Sequence, residues 1–199
     1  MRKRERRDQM FLVTDLLVLL GTNLILVQAL GISTIFVAAG NRKNLICTAM
    51  AITVFTTIGS AGACAVDSIL PKSAADLRLL LYVIVIGAVY ICILTGTYML
   101  NRKFFESVRR YIHISAFNCA VMGTLLSISG RAYDTVGGIG FKGYILGGLE
   151  AGFGFIITAL MLLAAYRKLN SSKVPASFRG FPAMLVYLGI ISMAVFALR

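Results

Sequence analysis

Charged side chains are scarce in this 199-residue sequence, at 14% against 58% hydrophobic residues, and the mean hydropathy is +0.85. A water-soluble domain of this length buries only about two-thirds of the surface of its unfolded chain, too little to hide so much apolar area. Lipid must therefore be the solvent for most of the chain. There is one histidine, which leaves no Ser/His/Asp or Cys/His arrangement for nucleophilic catalysis. No Gly-rich phosphate loop opens a soluble helix. The four cysteines (Cys47, Cys64, Cys92, Cys119) include no CxxC pair and lie in or beside apolar runs, which argues against a zinc ribbon and a disulfide framework. The basic start at Met1–Arg7 is followed by an apolar stretch too long for a signal peptide and without a small-residue cleavage site, so no cleaved leader is expected.

What remains is apolar runs separated by basic gaps. The formal net charge is +12, from 20 Lys and Arg against 8 acidic residues. These basic residues flank the apolar runs, the pattern of anchors to anionic lipid, and no nucleic-acid partner is expected. Six spans follow from length and hydropathy: 10–40, 45–66, 79–100, 111–129, 143–166 and 181–198. The second, of 22 residues without a charge, covers about 33 Å, enough for the hydrocarbon core. The runs lack the strict alternation of barrel strands, so helices are predicted. The expected fold is a single all-α membrane domain over 1–199, built as two inverted three-helix repeats (about 10–100 and 104–198). Its first and fourth helices are expected to break in mid-membrane. Lys and Arg divide ten and ten between the two sides, so the positive-inside rule assigns no orientation. The N-terminal cluster alone favours a cytoplasmic N-terminus. Gly147, Gly148, Gly152 and Gly154 read as close helix-packing positions.

Polar groups inside a span cost energy and need a reason. Asp15 reads as an interfacial carboxylate. Glu150, about a third of the way into its span, is balanced between that reading and an ion path. His113 reads as interfacial, beside Arg109 and Arg110. Cys64 and Cys92 read first as small packing residues. Cys119 differs, because Asn118 precedes it and Gly123 follows in the middle of a span. That combination suits a broken helix lining a buried site; the residues alone leave Cys119 open between a ligand role and, more often, a small packing position.

The stretch Asn118-Cys119-Ala120-Val121-Met122-Gly123 resembles the Asn-Cys-Ala-x-x-Gly signature of the small membrane subunits of Rnf complexes and of the sodium-pumping NADH:quinone oxidoreductase. Val174-Pro175-Ala176-Ser177-Phe178-Arg179-Gly180 is similar to the Val-Pro-x-x-Phe-Arg-Gly of the A-type Rnf protein and of its E-type counterpart in the sodium pump. Leu30-Gly31-Ile32-Ser33, Asn41-Arg42-Lys43 and Thr48-Ala49-Met50 resemble the first half of the A-type protein. The resemblance runs from about residue 20 to the end.

It implies a bacterial or archaeal cytoplasmic (inner) membrane protein that pairs with a homologous six-helix subunit of opposite orientation. The pair would share a [2Fe-2S] cluster, each member giving two cysteines from broken helices. The cluster would pass electrons across the bilayer between flavin-bearing and soluble redox subunits, coupled to sodium or proton movement. Thiolate sulfur suits ferric iron. Cys119 matches one ligand position, with Asn118 and Gly31 beside the cofactor. The first-half ligand position holds Ser33 instead of cysteine, and Cys92 is the candidate substitute. Where the family has Arg-Glu at the end of the fifth helix, this chain has Arg167-Lys168. The alternative is an inverted-repeat transporter or scaffold subunit without a cluster, with Glu150 on its path.

Overall fold

The computed structural model describes residues 30–32, 34, 42–70, 77–134, 139–171 and 175–197. Its elements are α1 (Arg42–Ile69), α2 (Leu77–Leu100), α3 (Arg102–Ala116), α4 (Cys119–Asp134), α5 (Phe141–Leu169), a 3-10 turn (Ala176–Phe178) and α6 (Phe181–Ala197). Among the described residues there are no strands, and the fold is all-α as expected. Most of the first predicted span, with Asp15 and Ser33, lies outside the described residues.

Three helices, over Lys43–Ile69, Leu77–Leu100 and Phe141–Tyr166, are each long and apolar enough to cross a membrane. A fourth crossing is the pair α3–α4, whose parts Phe105–Ala116 and Cys119–Tyr133 meet at 50° across a short break. Helix α6 is a largely apolar helix of 17 residues, about 25 Å by helical rise, the short end of what spans a bilayer. Large apolar side chains such as Ile84, Met99, Leu146 and Phe196 stand exposed along these helices, as lipid-facing positions do.

The fourth span departs from its expected bounds of 111–129. Helix α3 starts nine residues earlier, at Arg102, because it is amphipathic and carries Arg102, Lys103, Glu106, Arg109 and Arg110 on exposed positions. A hydropathy reading discards such a segment as loop. Asn101 starts it, its side chain accepting the Lys103 N–H at 3.1 Å, the usual satisfaction of an orphan N-terminal donor. Helix α4 likewise runs on to Asp134, five residues beyond the predicted end at 129.

Helices α1 and α5 form the spine, and glycine lets them touch. A Cβ at Gly148 would meet Ser60 Oγ at 2.3 Å and the Thr56 carbonyl at 2.7 Å, and one at Gly152 would meet Thr53 Cα at 2.9 Å. This is a small-xxx-small contact, in which absent side chains let backbones approach. The facing hydroxyls of Thr53, Thr56, Thr57 and Ser60 bond back to carbonyls of their own helix, so the seam carries no orphan donor. Around it pack Leu45, Ile52, Phe55, Val121, Leu125 and Leu162, all within 1% of full burial.

The candidate site at the helix break

The break is built from Asn118. Its carbonyl accepts the N–H groups of Val121 (3.0 Å) and Met122 (3.2 Å), and its side-chain oxygen accepts that of Ala120 at 3.0 Å. It thus caps α4 as Asn does best, 5% exposed and deep inside the protein. Its amide nitrogen donates to Thr34 Oγ1 at 3.0 Å, a bond that ties the two halves of the chain across 84 residues.

A turn faces this break. Leu30 and Gly31 form a turn before helical backbone at Ile32, and Gly31 has φ +81°, the left-handed region that side chains resist. Space also demands glycine here. A Cβ would meet Ala120 Cβ at 2.9 Å and Phe155 Cε2 at 3.0 Å. This close approach lets the Gly31 N–H donate to Cys119 Sγ at 3.0 Å. Cys119 is also the first residue of α4, where helix dipoles sum to partial positive charge. Both features place partial positive charge at the sulfur, while the thiol itself donates to Asn118 Oδ1 at 3.5 Å. The side chain is exposed and lines an open groove of about 510 Å³ with Leu30, Met122, Gly123, Leu126 and Ser127.

Against known families, residues 14–199 match the model described as "Rnf-Nqr subunit, membrane protein". The chain belongs to the Rnf-Nqr family. Similar relatives, each named as the A component of an ion-translocating oxidoreductase complex, come from Azoarcus sp. (27% identical), Shewanella amazonensis (29%) and Rhodobacter capsulatus (28%). Each match covers 90% of this chain and 93% of the relative.

Within this Rnf-Nqr fold, Gly31, Asn118 and Cys119 come together as the sequence suggested. Ser33 lies outside the described residues. Cys92 is on the exposed side of α2. Tyr90 packs against Phe117 at the break, ring centroids 5.7 Å apart, so Cys92, two residues and about 200° further round the helix, is turned away from it. Among the described residues no three His, Cys, Asp or Glu side chains gather as a metal-holding group. Glu150 is half-buried on α5, midway between Gly148 and Gly152 and therefore roughly opposite the α1 seam. His113 is exposed on α3 and held between the Tyr90 hydroxyl (2.6 Å) and Arg109 Nε (3.2 Å). Because Arg109 donates to Nε2, the proton sits on Nδ1 and is given to Tyr90.

A second polar centre went unread. Asp67, the first residue after the second predicted span, accepts the hydroxyls of Tyr82 at 2.6 Å and Tyr144 at 2.7 Å. The available signal was depth: Asp67 is two residues from the end of α1, while Tyr82 and Tyr144 are in the opening turns of α2 and α5, which places all three at one end of the bundle.

Proposed function

We propose that this chain is the A-type membrane component of an ion-translocating oxidoreductase complex in a bacterial or archaeal cytoplasmic membrane, and that Cys119 supplies one thiolate to an iron–sulfur centre shared with a homologous subunit. The observation that carries this reading is an exposed sulfur at a helix break, held by the Gly31 N–H and opening on a groove. The relatives' printed names supply the complex.

The residues fit such a group in part. One thiolate, positive charge around it and small neighbours (Gly31, Ala120, Gly123) suit one corner of a [2Fe-2S] cluster, which takes four ligands. On the family resemblance the other ligands would come from a homologous partner subunit and, in this chain, from the position of Ser33. When bound, the cluster supplies a one-electron carrier inside the membrane, between flavin-bearing and soluble redox subunits. This chain's own part is to hold the sulfur. Asn118 fixes the start of α4, Thr34 anchors Asn118, and Gly31 places an N–H on Sγ. The loops with Arg42-Lys43, Arg102-Lys103, Arg109-Arg110 and Arg167-Lys168 are taken as cytoplasmic because the resemblance to the A-type subunit puts the N-terminus outside, against the preference of its own basic cluster.

A cluster-free scaffold is the second reading, favoured by serine at position 33. Purification of the native complex separates the two. The first reading predicts a homologous six-helix partner and iron that is lost with Cys119→Ala. Iron that stays unchanged in Cys119→Ala, or a chain that purifies without any such partner, refutes it.

A further inference from the structure

Helix α3 descends into the membrane beside α2, and the contacts between them fix its depth. Tyr98 meets Phe105 with ring centroids 5.4 Å apart, and Tyr90 meets His113 at 5.6 Å. The two contacts are eight residues apart on each helix, 90 to 98 and 105 to 113, so α2 and α3 run antiparallel and in step. Helix α2 serves as the depth scale, because residues 79–100 carry no charge and Leu79, Leu80, Val83, Ile84 and Ile91 stand exposed on it. Tyr90 is ten residues before its end at Leu100, about 15 Å by helical rise, in a hydrocarbon core about 30 Å thick. That puts His113 near mid-membrane rather than at the interface. Arg109 and Arg110 are level with Leu94 and Ile93, about 9–10 Å below the end of α2.

Arg109, Arg110 and His113 are all exposed, as is Glu106. By helical phase they share one arc of α3 with Ile114, while the opposite side bonds to α1 through Tyr111 to Asn44 and Ser115 to Thr48. A charge at this depth is expensive unless its side chain reaches back to the interface. Arg109 does not reach back: its Nε donates to His113 Nε2 at 3.2 Å, one turn deeper. Glu106 is the one acid of α3 against two guanidinium groups, and α2 has none between 79 and 100. Even full pairing with Glu106 leaves one positive charge over. Hydrocarbon cannot satisfy this arc, and a carboxylate can.

We infer that the outer face of α3, around Arg109 and Arg110, is the docking surface for a membrane-spanning helix of a partner subunit that brings an aspartate or glutamate to the same depth. A guanidinium pairs with a carboxylate through two parallel hydrogen bonds, and a helix satisfies its own backbone in lipid. A lipid phosphate is the other anion at hand, but it stays at headgroup level, above both arginines. This surface rests on the complex proposed above and not on iron at Cys119.

The test uses the native complex, recovered from membranes through a tag on this chain. A photoreactive phenylalanine analogue replaces Ile114, which is 38% exposed and one turn below Arg110 on the same arc. It crosslinks to a partner helix that carries an Asp or Glu within one turn of the attached residue. Arg110→Glu lowers recovery of that subunit at least tenfold, the effect of opposing like charges out of water. Changing the partner's acid to arginine restores it. Arg102→Glu, at the surface end of α3, leaves recovery unchanged. If Arg110→Glu fails to accumulate, the crosslink alone decides. A chain that purifies with no membrane partner overturns both this surface and the complex itself. A partner that is recovered but not crosslinked at position 114, crosslinks that go only to lipid or to this chain, a captured helix with no acid near the attachment, or unchanged recovery with Arg110→Glu overturns this surface alone.

Discussion

Replacing Gly31 with alanine tests the construction of the break without touching the sulfur. The native φ of +81° costs an L-residue roughly 1–2 kcal/mol. The new Cβ would also stand 2.9 Å from Ala120 Cβ and 3.0 Å from Phe155 Cε2. The phenyl ring can swing; Ala120 cannot, being 4% exposed on a helix that Asn118 pins. Overpacking of this kind costs about 1–3 kcal/mol, so Gly31→Ala should destabilise by about 2–5 kcal/mol in all. For a chain of this length that is a fall in melting temperature of roughly 4–20 °C. The comparison is Gly87→Ala, in the middle of α2, where nothing lies within 4 Å of the added Cβ. There alanine is neutral or stabilises by up to about 1 kcal/mol, because it improves helix propensity. Thermal melts of the two variants in the same detergent make the measurement. Equal melting temperatures would refute the claim that the Leu30–Gly31 turn is pressed against the start of α4.

Three further outcomes follow from the same geometry. Asn118→Ala removes the cap on the Ala120 N–H and the bond to Thr34, costing about 1–3 kcal/mol; amide exchange in the first turn of α4 should accelerate, while the Gly148 seam keeps its protection. Gly148→Val drives a branched side chain into the Thr56 carbonyl and Ser60 and should cost at least as much as Gly31→Ala, read as lost yield of folded chain in detergent. Asn101→Ala deletes the cap of α3 and should fray that helix by about 1 kcal/mol, visible as faster exchange at Lys103 with α4 unaffected.

The second, third and fifth spans were legible because their hydropathy is unbroken, and Asn118-Cys119 was legible as a break because an asparagine in mid-span must have a backbone partner. Helix α3 was hidden by its own charges, since a segment with Arg102, Lys103, Arg109 and Arg110 has low mean hydropathy even when its other face, through Ile112 and Ala116, is buried. The facing turn at Gly31 was read only through family resemblance. Its geometric reason, a backbone N–H delivered to a sulfur 88 residues away, is a tertiary fact with no local signature. Asp67 was missed for the same cause: its partners are 15 and 77 residues distant, and local patterning shows only an acid at the end of an apolar run. Cys92 entered as a ligand candidate by depth alone, and helical phase, which depth ignores, turns it outward.

The most direct test of the central claim is an electron paramagnetic resonance spectrum of the chemically reduced native complex, compared with the same complex carrying Cys119→Ser. A thiolate ligand at position 119 predicts a [2Fe-2S] signal whose g-values shift, or which disappears, in the variant, while the flavin signals of the other subunits persist. A spectrum identical in both proteins would mean that Cys119 touches no iron, and the electron-carrier account would be wrong.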